Sequence, residues 1–168
     1  MILCDTDIFI EALKNNSRAI GSLRNIGFEN IALSAITLME LYFGAVSKQE
    51  LTKIKNRLQQ LSIIHINQEI SETATKLIEK YAKSHGLHIP DSLIAATSIC
   101  NRMELLTYNV KDFKFIENIR LYRNNNYDKD KKTPIFQTLG TKIILRARNK
   151  EIFAIFSYIK WPVHVIDN

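Results

Sequence analysis

Short apolar runs, each closing on a polar or acidic residue and each followed by a segment of helical period, limit the folds open to this chain more than any other feature. Ile2-Leu-Cys4, Asn30 to Ala35, Ser62 to Ile66 and Leu105 to Thr107 have strand length, and Ile119 to Tyr122 offers a possible fifth strand. Between them, helices are expected over about 7–14, 37–45, 48–61, 69–84 and 90–102. Leu51, Ile54, Leu58 and Leu61 recur at helical spacing, as do Ile70, Ala74, Leu77, Ile78 and Tyr81. Gly86 suits the end of one helix and Pro90 the start of the next. Alternating strands and helices imply an α/β sandwich around a mostly parallel sheet, whose sites gather at the carboxyl ends of the strands.

Acidic residues stand where these apolar runs stop or turn. Asp5 and Asp7 follow the first strand, Glu40 sits in Ile36-Thr-Leu-Met-Glu-Leu-Tyr42, Asp91 in Ile89-Pro-Asp-Ser-Leu-Ile-Ala-Ala96, and Asp112 in Leu106-Thr-Tyr-Asn-Val-Lys-Asp-Phe113. A carboxylate among apolar neighbours is costly unless paired, protonated or bound to a cation, so a cluster of them implies a metal site. Ordinary roles compete with that reading. Asp5 also suits a helix cap, Asp91 a first-turn position favoured by the helix dipole, and Asn109 with Asp112 a capping box. Asp7 falls in a first helical turn, where acidic residues are favoured anyway, and ranks second. Glu40 has no such alternative beyond a snorkelling surface side chain, because Ile36, Met39, Leu41 and Phe43 surround it.

Composition narrows the function classes. At 168 residues the chain suits one compact domain, perhaps with an appendage, and 46% hydrophobic with 24% charged residues is globular composition. No run approaches the roughly 18 apolar residues of a membrane span. The N-terminus lacks a secretory signal, so a cytoplasmic protein with no membrane association is expected. Cys4 and Cys100 lie in apolar segments without metal spacing, and His65, His85, His88 and His164 share none either. The net charge of +6 favours a polyanionic partner. Residues 1–123 carry 15 Lys/Arg against 13 Asp/Glu, whereas residues 124–168 carry 8 against 4, so most of the excess is in the last quarter. That quarter opens on polar, low-complexity Asn124-Asn-Asn-Tyr-Asp-Lys-Asp-Lys-Lys132. A hairpin around Leu139-Gly-Thr141 and a helix over 149–160 are expected beyond it. Arg102, Lys111 and Lys114 are placed by sequence near the acidic residues, either as phosphate contacts or as plain surface cations. No substrate-binding residue is otherwise marked.

Asp5-Thr-Asp after an N-terminal strand is shared with phosphohydrolases of the haloacid-dehalogenase type, but no later acidic doublet follows an apolar strand, and Glu40 has no place in that pattern. In order and spacing, strand-Asp5-Thr6, Ile-Thr-Leu-Met-Glu40-Leu, Ile-Pro-Asp91-Ser-Leu-Ile and Leu-Leu-Thr107-Tyr-Asn109-Val-Lys-Asp112-Phe113 resemble the PIN-domain family, especially the VapC-like toxins of type II toxin-antitoxin systems. The resemblance covers about residues 1–123 and implies a PIN-like three-layer α/β/α sandwich with a central mostly parallel sheet. A basic C-terminal extension over 124–168 is left outside it.

What the resemblance implies for function is specific. Asp5, Glu40 and Asp91 become the central acidic residues of an Mg²⁺- or Mn²⁺-dependent endoribonuclease site, with Asp5 and Asp91 on the metal. The family's fourth acid often stands two residues after the Thr, where this chain has Asn109, so Asp112 is expected to take over part of that role. Thr6 and Thr107 are secondary, orienting water or phosphate oxygens or capping strand ends. RNA as substrate, a VapB-like antitoxin as partner and a homodimer are implied as well. A degenerate PIN domain that binds RNA or a protein without cutting is the non-enzyme alternative.

Overall fold

The computed structural model describes residues 1–123; the expected hairpin and helix of 124–168, and His164, lie outside the described residues. Among the described residues the α-helices and strands run in the order β1 (Ile2–Cys4), α1 (Thr6–Leu13), α2 (Ser17–Ile26), β2 (Ile31–Ser34), α3 (Ala35–Phe43), α4 (Lys48–Leu58), β3 (Ser62–Ile64), α5 (Gln68–His85), α6 (Ile89–Cys100) and β4 (Glu104–Leu106). The strands form one parallel sheet in the order β3-β2-β1-β4, with Leu3 beside Ala32 and Leu105, and Leu33 beside Ile63.

Pleating sends successive side chains to opposite faces, and each face has its own core. Cys4, Ile31, Leu33 and Leu106 pack with Ile8, Phe9 and Ala12 of α1, Leu23 and Ile26 of α2, and Ile54 and Leu58 of α4. Leu3, Ala32 and Leu105 point the other way, onto Ile70, Ala74, Leu77 and Tyr81 of α5 and Ile94 of α6. These are the three layers expected from the sequence.

Helix ends are fixed locally. Ser34 Oγ accepts from Thr37 N at 3.0 Å to start α3, and Asn67 Oδ1 accepts from Ile70 N at 2.9 Å to start α5. Gly86, left-handed at φ 72°, stops α5 as the sequence predicts. Two expectations change. Helix α2 is not among the expected helices, although its inward residues Ala19, Leu23 and Ile26 recur at helical spacing; the cap of Asn16 on Arg18 N and Ala19 N starts it. The fifth strand contracts to one parallel bridge, Leu105 to Leu121, because Leu105 alone bonds both Arg120 O and Tyr122 N.

The chain lays down β1, β2 and β3 in one direction, then crosses back to place β4 on the far side of β1. The strand order therefore reverses between β1 and β4, and their carboxyl ends flank the switch point where α/β sheets form their ligand clefts. Asp5 and Thr107 are the residues that follow those two ends.

Candidate active site

Asp5 is both a helix cap and a buried acid. Its Oδ1 accepts from Thr6 N at 2.7 Å, and its Oδ2 accepts from Thr107 Oγ1 at 2.8 Å. The cap is what turns the chain from β1 into α1, so the fold holds this carboxylate at the strand end rather than in water. Thr6, the first residue of α1, donates through Oγ1 to Glu40 Oε2 at 2.5 Å. Glu40 is thereby drawn from α3 toward the end of β1, while its neighbour Leu41 faces the core and Phe43 faces solvent. Asp91 lies in the first turn of α6, whose start combines Pro90 with a His88 cap position that makes no side-chain cap bond. That leaves the first-turn backbone N–H groups and the helix dipole to favour the Asp91 charge.

After β4, Asn109 and Asp112 do not form the expected capping box. The side-chain amide of Asn109 donates to the Asp112 carboxylate, and Asp112 N bonds Asn109 O at 2.9 Å to close a short 3₁₀ turn over Val110–Asp112. Asn109 is thus a partner of Asp112, and the two form one polar unit beside Thr107.

The acids feel one another. Burial is the main cause of the raised pKa of Asp5, with the charges of Asp91 and Glu40 adding to it and the bonds from Thr107 and Thr6 opposing it. Burial, then the charges of Asp112, Glu40 and Asp7, lifts Asp91 to about 6. Asp7 is raised by burial and by Asp5. The buried Cys4 thiol is pushed up by burial and by the same two aspartates, which keeps it protonated and inert. The ion pairs of Lys14 with Glu11 and of Lys80 with Glu117 lie outside this cluster.

Among the described residues no three Asp, Glu, His or Cys side chains form a ready-made metal cage. Mg²⁺ does not require one, since it keeps several waters and is bound through one or two carboxylates. The all-oxygen donors Asp5 and Asp91, whose charges are disfavoured by burial and by each other, fit such a hard cation.

Some sequence-marked residues fall elsewhere. Arg102 follows the carboxyl end of α6, a helix of 12 residues that carries Asp91 in its first turn, so about 15 Å of helix separates the two. Lys111 and Lys114 remain exposed beside the Asn109–Asp112 unit. His85 stacks on Phe115 at 4.3 Å between ring centroids and takes no part in the acidic cluster. The sequence gives little sign of what Asp7 does: its Oδ2 accepts from Tyr108 N at 2.9 Å and Asn109 N at 3.0 Å and lies 3.2 Å from Thr107 Oγ1.

Comparison with known proteins shows the family. Residues 2–117 match the family described as the PIN domain. Ribonuclease VapC19 of Mycobacterium tuberculosis is 32% identical over 124 residues, covering 71% of this chain and 98% of that protein. A toxin-antitoxin complex from Klebsiella pneumoniae superposes with a TM-score of 0.62 at 32% identity, covering 71% of this chain and 95% of that one. VapBC2 of Rickettsia felis, solved bound to a DNA fragment from its promoter, gives the same TM-score and identity over 73% of this chain and 98% of that one. With that family match spanning residues 2–117 of 168, the chain belongs to the PIN-domain family.

Proposed function

We propose that this protein is a divalent-metal-dependent endoribonuclease, the toxin of a toxin-antitoxin module, working in the cytoplasm. The observation that carries the reading is the bonding of Asp5 to Thr107 and of Glu40 to Thr6, which draws acids from separate elements to the switch point of the sheet. Kinship with a protein named as a ribonuclease and with solved toxin-antitoxin complexes supports it. Among the described residues no helix is long and apolar enough to cross a membrane.

Asp5 and Asp91 would hold Mg²⁺ or Mn²⁺, which supplies charge neutralisation for the phosphate and a more acidic water. The remaining chemistry belongs to the chain. Glu40, oriented by Thr6, accepts the proton of the attacking water, and Asp112, steadied by Asn109, adds negative potential that favours cation entry. Thr107 keeps the Asp5 carboxylate turned toward the cleft. Burial of Asp5 strengthens each of these interactions by excluding competing water.

A small antitoxin of the VapB kind, and a second copy of this chain, are the proposed protein partners. The phosphohydrolase reading is set aside by the PIN match, and it leaves Glu40 without a role. Cleavage of a structured RNA pool decides between a nuclease and a PIN domain that only binds. Activity is expected with Mg²⁺ or Mn²⁺, none in excess EDTA, and a loss of at least about 10²-fold in Asp5→Asn, Glu40→Gln and Asp91→Asn. Undiminished cleavage in chelator, or in Glu40→Gln, overturns the proposal.

A further inference from the structure

Asp7 is half-buried and the nuclease reading gives it no task, yet its carboxylate is held by specific partners. Its Oδ2 receives two backbone N–H groups, from Tyr108 and Asn109 at 2.9 and 3.0 Å, and lies 3.2 Å from Thr107 Oγ1. All three partners sit on the loop that leaves β4, about a hundred residues away in sequence. Its other oxygen, Oδ1, is buried without a hydrogen-bond partner among the described residues. A side chain that leaves one oxygen unsatisfied while the other gathers two backbone donors is held by that loop, and holds it in turn.

The loop matters because of what it carries. The Thr107 hydroxyl has a single proton, and Asp5 Oδ2 at 2.8 Å is the nearer of the two carboxylates competing for it. Thr107 Oγ1 in turn accepts from Asn109 N at 2.9 Å, so that N–H is shared between the hydroxyl and Asp7. With the amides of Tyr108 and Asn109 pinned, the hydroxyl is presented to Asp5, and Asn109 is placed to donate to Asp112. Two site residues are therefore positioned through one carboxylate on α1.

We propose that Asp7 is a positioning residue: a backbone clamp between α1 and the loop after β4 that sets the Thr107–Asp5 and Asn109–Asp112 pairs, acting as a hydrogen-bond acceptor and not through its charge. The proposal rests on the nuclease reading for its catalytic consequence, but the clamp itself has a readout that needs neither metal nor RNA.

The test compares Asp7→Asn, which keeps an acceptor oxygen, with Asp7→Ala, which does not. In the metal-free full chain, amide hydrogen exchange at Tyr108 and Asn109 should speed up by at least about tenfold in Asp7→Ala and stay within about threefold of the parent in Asp7→Asn. In RNA cleavage, Asp7→Ala should lose at least about tenfold in kcat with KM little changed, and Asp7→Asn should recover most of that loss, since displacement of reacting groups is felt in the chemical step. Equal losses in the two variants would show that the charge matters and overturn the clamp, as would unchanged amide exchange in Asp7→Ala or a loss confined to KM. If Asp7→Ala does not fold, Asp7→Asn decides alone: retained amide protection with most of the activity supports the clamp, and exposed amides or a collapse of kcat refute it. A parent protein that cuts no RNA would remove the nuclease reading, while the exchange rates would still decide the clamp.

Discussion

Thr6 Oγ1 donates to Glu40 Oε2 at 2.5 Å, joining the first residue of α1 to the middle of α3. Thr6 is itself buried at the point where Asp5 caps α1, so one dipeptide fixes two acids that lie 35 positions apart in the chain. Glu40 is only half-buried and would otherwise sample several rotamers on a helix surface. The hydroxyl restricts it to the one that faces the end of β1.

Removing that hydroxyl should therefore lower activity without touching an acid. Thr6→Val, nearly isosteric, is expected to slow single-turnover RNA cleavage by about tenfold, and Thr6→Ser to stay within about threefold. A fully active Thr6→Val protein would mean that Glu40 needs no orientation, or no role at all.

How far the sequence revealed this site depends on how local each signal is. Asp5, Glu40 and Asp91 stand out because a charge beside an apolar run is anomalous within a few residues, whatever the rest of the chain does. Asp7 does not, because in sequence it is an ordinary first-turn acid, and the amides that give it a task lie more than a hundred positions downstream. Asn109 and Asp112 have capping-box spacing, but a 3₁₀ turn of three residues leaves no helix to cap, so the two side chains bond each other instead. Of the trio Leu41, Tyr42 and Phe43, residue type alone cannot choose which faces water; a rotation of about 100° per residue does, burying Leu41 and leaving Phe43 94% exposed. Helix α2 is a signal missed rather than absent: Asn16 stands at its cap, and Ala19, Leu23 and Ile26 recur at helical spacing.

Stability of the metal-free protein should fall as pH rises. Burial raises Asp5, Asp7 and Asp91 above the ordinary value of 3.8, Asp91 to about 6, so the folded state holds protons that the unfolded chain has already released. With more protons bound in the folded state, the unfolding free energy decreases with pH across that interval. The contribution is fully present below about pH 4 and lost as pH passes the raised values. Thermal unfolding without metal is expected at a lower temperature at about pH 8 than at about pH 5.5. Asp91→Asn should flatten the difference, and Mg²⁺ should restore stability chiefly at the higher pH, because it binds the ionised carboxylates. A melting temperature that rises with pH in metal-free protein, and is indifferent to Asp91→Asn, would contradict this picture.

Residues 124–168 carry four of the six surplus positive charges. If that charge serves RNA, a chain ending at Arg123 should bind a single-stranded RNA more weakly at low salt and with a shallower dependence on salt, by about 0.7 in the log-log slope for each phosphate that is no longer neutralised. Identical affinity and slope in the shortened and full chains would assign the tail no part in RNA binding.

The surface around the acids predicts the chemistry of a protein partner. Met39 and Phe43 flank Glu40 and are 54% and 94% exposed, Ile89 stands two residues before Asp91 at 67%, and Val110 follows Asn109 at 44%. Large apolar side chains exposed near uncompensated carboxylates suit a segment that offers an Arg or Lys to the acids and apolar groups to either side of it. An inhibitor of that kind would compete with metal for the same charges. Phe43 is the sharpest test, because it is nearly free of the fold and holds no catalytic role. Phe43→Asp is expected to weaken binding of the protein encoded by the neighbouring gene by at least about tenfold, the scale for losing an aromatic anchor, while leaving RNA cleavage by the free protein within about twofold. Titration calorimetry on the purified pair, with assembly mass measured alongside, distinguishes the outcomes. Unchanged affinity together with conversion of a dimer to a monomer would assign the Phe43 surface to a second copy of this chain, and unchanged affinity with unchanged mass would remove it from both interfaces.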